Sequence, residues 1–160
     1  MLMIMVFLLP GCGNRVPAQP VDGVGKLKVI ASTYPVYEFI RRVGGDRVDA
    51  TILVPAGIEP HDWEPSSKDL ARIKDARLFL YHGAGFEPWV GKFVTQELLG
   101  KTSAVEISKN ISLLAVEQHN GHDHSYDSHV WLDPVLAQQE VTNIYEALAQ
   151  ADPVNQAVYY

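Results

Sequence analysis

The sequence predicts an α/β fold: a single βα lobe with a central, mostly parallel four-stranded sheet flanked by helices. Three observations carry this. Short β-branched or apolar runs alternate with segments whose apolar residues recur at helical spacing. Cap and turn residues fall between the two kinds of segment. The histidines cluster just after the strand-like runs, and α/β sheets bind their ligands beyond the carboxyl ends of their strands.

The elements follow in order. Leu27-Lys28-Val29-Ile30-Ala31-Ser32-Thr33 is a β-rich run. Val36, Phe39, Ile40 and Val43 then mark one face of a helix that Gly44-Gly45 stops. A second strand is expected from Val48 to Val54. Ser66 and Asp69 have capping-box spacing ahead of Leu70 and Ile73. Leu78-Phe79-Leu80-Tyr81 reads as a short buried strand, followed by a Gly-rich turn and a helix from about Trp89 to Leu99. Ala104-Val105-Glu106-Ile107 is the fourth strand. Asp133-Pro134 caps a last helix with Val141, Ile144, Tyr145 and Leu148 on one face. Asp152-Pro153 has the same N-cap and N1 form, so a further helix is expected to start there and the sequence reads as ending inside an element.

At 47% hydrophobic, the 160 residues can bury a core of one-domain size. A net charge of −6 argues against nucleic acid as a partner. Residues 1–12 are an apolar run, shorter than the roughly 20 residues a bilayer span needs, closed by Leu9-Pro10-Gly11-Cys12. That order resembles a bacterial lipobox, in which Cys12 is acylated, although no Lys or Arg precedes the run as a signal peptide wants. Cys12 is the only cysteine, so no internal disulfide is expected. Residues 13–26, rich in Gly and Pro, read as a flexible tether, and 27–160 as the folded lobe. The expected location is extracytoplasmic, on a lipid anchor to the cell membrane or in the periplasm.

Four of the six histidines fall between 117 and 129, interleaved with carboxylates. Neutral imidazole is the commonest metal ligand, and short His-rich tracts read as metal binding. The tract alone leaves sensing, storage, transport and catalysis open.

Three motifs occur in order: Ile58-Glu59-Pro60-His61-Asp62-Trp63-Glu64-Pro65, Tyr81-His82-Gly83-Ala84-Gly85-Phe86-Glu87-Pro88-Trp89, and Asp127-Ser128-His129-Val130-Trp131-Leu132-Asp133-Pro134. Together with Ile30-Ala31-Ser32-Thr33-Tyr34-Pro35 and Val43-Gly44-Gly45-Asp46-Arg47-Val48, they resemble the cluster A-I metal-binding proteins. These are the zinc and manganese substrate-binding lipoproteins of bacterial ABC transporters. The resemblance implies two lobes joined by a long helix with the metal between them. By this resemblance the chain is expected to correspond to the first lobe, ending near where the connecting helix would begin, with the second lobe absent. It implies His61 and His129 as that lobe's two ligands. His82 stands where the family often has asparagine and is expected to be structural or superficial. Glu87 and Trp89 are expected to brace the lobe, Trp131 to pack, and Asp133 to cap a helix. His119, His122 and His124 are expected to be auxiliary capture residues. The implied ion is Zn²⁺, with Mn²⁺ the lesser candidate, and the implied partner is a membrane permease. A lone lobe carrying two ligands is also expected to self-associate around metal.

Rival readings are a His-rich metal-buffering or adhesin lipoprotein, and a zinc-dependent hydrolase using Glu59, Asp62 or Glu64 as base. The hydrolase reading lacks a His-Glu-x-x-His helix, a nucleophile elbow or a phosphate loop, so no enzyme is expected. For the anchor, Cys12→Ser expressed in a bacterial host is expected to lose fatty-acid labelling and membrane association. Retained labelling would contradict the lipobox reading.

Overall fold

The computed structural model describes residues 25–115 and 126–159. Cys12, His119, His122 and His124 therefore lie outside the described residues, as do the leader and most of the tether. Four strands form the sheet: β1 (Leu27–Ala31), β2 (Val48–Ile52), β3 (Leu78–Tyr81) and β4 (Ser103–Glu106). They are ordered β2-β1-β3-β4 and every pairing is parallel. Ala31 lies opposite both Ile52 and Leu80, and Tyr81 opposite Glu106, so all four strands end along one edge. The sheet grows outward from β1 to β2, then resumes on the other side of β1 with β3. The chain segments leaving β1 and β3 diverge at this switch, which opens a crevice at the carboxyl edge.

Among the described residues, five α-helices flank the sheet: α1 (Tyr34–Gly44), α2 (Ser67–Asp75), α3 (Val90–Phe93), α4 (Gln96–Leu99) and α5 (Pro134–Ala151). Alternation along the strands sorts the core. Val29, Ala31, Leu78 and Leu80 face α1 and α5, meeting Val36, Ile40, Val43, Ile144 and Leu148. Ile30 and Phe79 point the other way, into a second cluster with Leu53, Ile73, Trp89 and Leu99. Both faces are covered at the centre of the sheet, so β3 and the Val29–Ala31 part of β1 are unbroken apolar runs, while the edge strand β2 alternates buried Val48 with exposed Asp49 and Thr51. Among the described residues, no helix is long and apolar enough to cross a membrane.

The Ser66 and Asp133 caps form as the sequence predicts. Asp69 N–H donates to Ser66 Oγ at 3.3 Å, and Ser66 N–H donates to Asp69 Oδ2 at 3.0 Å, a reciprocal box. Asp133 Oδ1 accepts from Val135 N–H at 2.7 Å and Leu136 N–H at 3.2 Å. Such a cap contributes ~1 kcal/mol.

Three expectations are corrected. The helix from Trp89 to Leu99 is two short helices, because Thr95 takes extended backbone and its Oγ1 accepts from Leu98 N–H at 3.2 Å, restarting the helix. Strand β2 ends at Ile52, although Leu53 and Val54 still donate to Ala31 and Ser32 carbonyls. After Asp152 the chain forms a 3₁₀ helix, Pro153–Val158. The Asp152 carboxylate is occupied by Asn155 Nδ2 (2.7 Å) and the Tyr159 hydroxyl (2.6 Å), so it caps no backbone N–H.

One polar pair crosses the core. His82, just past β3, and Glu140, on α5, are both fully buried, with Nε2 3.3 Å from Oε1. Burial pushes the Glu140 carboxyl up to about 8, and burial pushes His82 down to about 4. Both are therefore neutral near pH 7, with the proton on Glu140.

The sign of the pH dependence follows. Glu140 keeps its proton in the folded chain from its ordinary 4.5 up to about 8, so its contribution is full at low pH and is lost as pH rises. His82 contributes in the opposite sense between about 4 and 6.5. The slopes oppose below 6.5, and above it Glu140 alone remains. The melting temperature is expected to fall from pH 6.5 to 8, and Glu140→Gln to flatten that fall. An identical decline in the variant would contradict the neutral pair.

Candidate metal centre

The site is built on the loop that leaves β3. Gly83, Ala84 and Gly85 all have positive φ (85°, 51° and 80°), a left-handed path that L side chains resist. Ala84 bears that strain, of order 1–3 kcal/mol for a non-glycine residue. At Gly83 a side chain is excluded twice over, by φ and because a Cβ would collide with the Glu106 side chain. The loop closes through Phe86 N–H to the Gly83 carbonyl (2.9 Å). It is fastened from inside by Glu87, which accepts from Ser32 Oγ (2.5 Å), His82 N–H (2.9 Å) and Gly83 N–H (2.9 Å). Glu87 therefore braces the lobe as its position in the sequence implies. Burial pushes its carboxyl upward despite these three donors.

This turn sets Phe86 at the centre of a ring cluster. His61 meets it edge-on at 4.9 Å, His82 at 5.4 Å, His129 at 5.7 Å and Trp131 at 4.9 Å between centroids. His61 comes from the loop between β2 and α2. That loop is pinned by Trp63, which packs edge-on against the buried Trp89 at 4.9 Å. His129 comes from the segment ahead of α5. An antiparallel bridge, Ala115 to Tyr126, and Asp127 N–H to the Leu114 carbonyl (2.9 Å) close the neck of the His-rich tract beside it.

The three histidines differ in what can reach them. The His61 and His129 side chains are 31% and 49% exposed, while His82 is at 0%. An ion arriving from solvent meets the first two. His82 has the structural role expected of it. His129 is also oriented: its Nδ1 lies 2.9 Å from Asp127 Oδ1, and the same oxygen accepts the His129 backbone N–H at 2.9 Å. With Nδ1–H donating to the carboxylate, the Nε2 lone pair is left for a metal. These hydrogen bonds hold the Asp127 carboxyl below its usual range. At His61, Glu59 Oε1 lies 3.9 Å from Nε2.

Among the described residues, no three His, Cys, Asp or Glu side chains converge as a complete metal cage. Two imidazoles leave half of a tetrahedral shell open. Exposed apolar side chains rim the crevice: Tyr34 and Ile58 beside an apolar groove of about 230 Å³ that reaches Phe86 and Trp131, and Leu132 beside a groove of about 330 Å³ that reaches His129.

Sequence reasoning missed three participants. Asp127 carried a local signal, an acid two residues before a ligand histidine. Phe86 as hub and Glu140 as the partner of His82 carried none, since both depend on contacts distant in the chain.

Residues 29–160 match the family model described as zinc-uptake complex component A, periplasmic. The chain is 41% identical over 162 residues to the high-affinity zinc uptake system protein ZnuA of Bacillus subtilis (strain 168), covering 95% of this chain and 51% of that protein. It is 34% identical to the zinc-binding lipoprotein AdcA of Streptococcus pneumoniae, covering 94% of this chain and 31% of that one. Among solved structures, Zn(II)-bound AdcA of Streptococcus pneumoniae superposes with a TM-score of 0.73 at 37% identity, over 84% of this chain and 28% of that one. The laminin-binding protein Lmb of Streptococcus agalactiae, an adhesin with metal-transporting activity, gives 0.71 at 34% identity, over 84% and 48%. The chain thus spans between about a third and about half of the length of these curated relatives. With the family model covering nearly all of the folded region, the chain belongs to the zinc-uptake complex component A family.

Proposed function

We propose that this chain is the metal-capturing lobe of an extracytoplasmic zinc-binding protein that hands Zn²⁺ to the permease of an ABC transporter. Zn²⁺ is cargo in this reading, not a resident cofactor, and the lobe binds without catalysing. One observation carries the proposal: two accessible imidazoles, His61 and His129, share the Phe86 ring, and Asp127 fixes the tautomer of one of them. Imidazole nitrogen suits Zn²⁺ better than the harder Mn²⁺, which prefers oxygen ligands. The open half of the shell suits cargo, because an ion held by few protein ligands can be released. The zinc-named relatives support the same ion.

His119, His122 and His124 act in this reading as a weak antenna beside the site, and Cys12 as the membrane anchor. The apolar rim of Tyr34, Ile58 and Leu132 supports the view that the crevice meets a second surface when metal is held. For the chain alone, that surface is a second copy, which would supply the missing imidazoles.

Calorimetric titration with Zn²⁺ tests the assignment. His61→Ala and His129→Ala are each expected to abolish the tightest binding event. Asp127→Asn is expected to weaken it by roughly 10-fold or more, as outer-shell partners of ligating histidines usually do. Sedimentation of the same samples is expected to show a dimer only with Zn²⁺. Parent-like binding in both alanine variants would overturn the proposal.

A further inference from the structure

We propose that His82 and Glu140 form a buried positioning pair that fixes the 128–131 segment, and with it the orientation of His129. The proposal rests on His129 being a ligand. Neither residue is reachable by an ion, and among the described residues no third ligand joins them, so they do not form a second metal site.

The geometry instead points outward from the pair to His129. Phe86 and Trp131 are both ring neighbours of His129, at 5.7 and 5.3 Å. The same two rings are neighbours of His82, at 5.4 and 4.4 Å, and the Trp131 contact is nearly perpendicular at 87°. His82 therefore packs against the ring two residues beyond His129 in the chain and against the Phe86 ring that His129 shares. Glu140 lies against His82 in turn, with Oε1 3.3 Å from Nε2 but without the alignment of a hydrogen bond, and Glu140 is carried by α5, whose N-terminus is capped by Asp133. The loop leaving β3 and the N-terminal half of α5 thus meet at one ring that backs the ligand segment. An apolar pair would fill the same volume but would not fix the imidazole's rotation, since packing alone does not distinguish its edges.

The test uses the full 160-residue chain with His119→Ala, His122→Ala and His124→Ala, so that the candidate centre alone reports. Zn²⁺ affinity is measured by competition with a chromogenic chelator, and the His129 ring nitrogens by ¹⁵N NMR. Glu140→Leu and His82→Asn are expected to weaken Zn²⁺ binding about 10-fold, with the His129 signals no longer those of a single tautomer. Glu140→Gln, which keeps a hydrogen-bonding group beside His82, is expected to bind as the parent does. If Glu140→Leu does not fold, His82→Asn decides the matter. Variants that melt earlier yet keep parent affinity and the parent His129 spectrum would reduce the pair to a stability element and overturn the proposal. If His129→Ala binds as the parent does, the ligand assignment itself fails, and the positioning role falls with it.

Discussion

The buried carboxylate of Glu87 is the interaction on which the rest of the site depends. It is 5% exposed, and an ionised carboxylate out of water is costly unless it is well supplied with donors. Ser32 supplies one from the end of β1, and His82 and Gly83 supply two from the end of β3. These strand ends diverge at the topological switch, so the carboxylate ties together the two sides of the crevice. It also holds the left-handed Gly83-Ala84-Gly85 turn, which has no regular ladder of its own. Phe86, the next residue before Glu87, is aimed by that turn. Removing the carboxylate would strand three donors, two of them backbone N–H groups of the loop that places Phe86.

From Phe86 the construction runs to both candidate ligands. His61 reaches the ring on a loop anchored by Trp63 against Trp89, on one face of the sheet. His129 reaches it from the segment that feeds α5, which packs on the other face. The two imidazoles therefore report on separate halves of the core, and each is held by an aromatic contact rather than by the metal. In the proposed reading this is a preformed half-site. An ion bound there would gain two nitrogen ligands without ordering the loops, and would retain open positions through which it can leave. Water access separates these histidines from His82, which has the same ring neighbours but no route for an ion.

Much of this was legible in the sequence because the signals were local. Ser66 with Asp69, and Asp133 with Pro134, mark helix starts through bonds made within three residues. The central strand residues, Val29–Ala31 and Leu78–Leu80, announce burial on both faces by their unbroken apolar character. His61 and His129 were singled out as candidate ligands through the motifs around them. The failures are equally physical. Thr95 has side-chain chemistry suited to a cap, but nothing nearby shows whether a helix passes through it or restarts there. Asp152 looks like a cap, and it is diverted by the Tyr159 hydroxyl. The burial of His82 makes sense only beside Glu140, which the chain brings back on a different layer. Contacts of that kind leave no periodicity to read.

The central claim is that exactly two imidazoles of this lobe, those of His61 and His129, take the ion. X-ray absorption of the Zn²⁺-loaded chain, with His119, His122 and His124 replaced by alanine, tests it most directly. The account predicts two imidazole nitrogens at about 2.0–2.1 Å per zinc in the monomer, four in a metal-linked dimer, and none of that signal after His61→Ala with His129→Ala. A shell of oxygen ligands alone, or imidazole scattering that survives the double substitution, would contradict it.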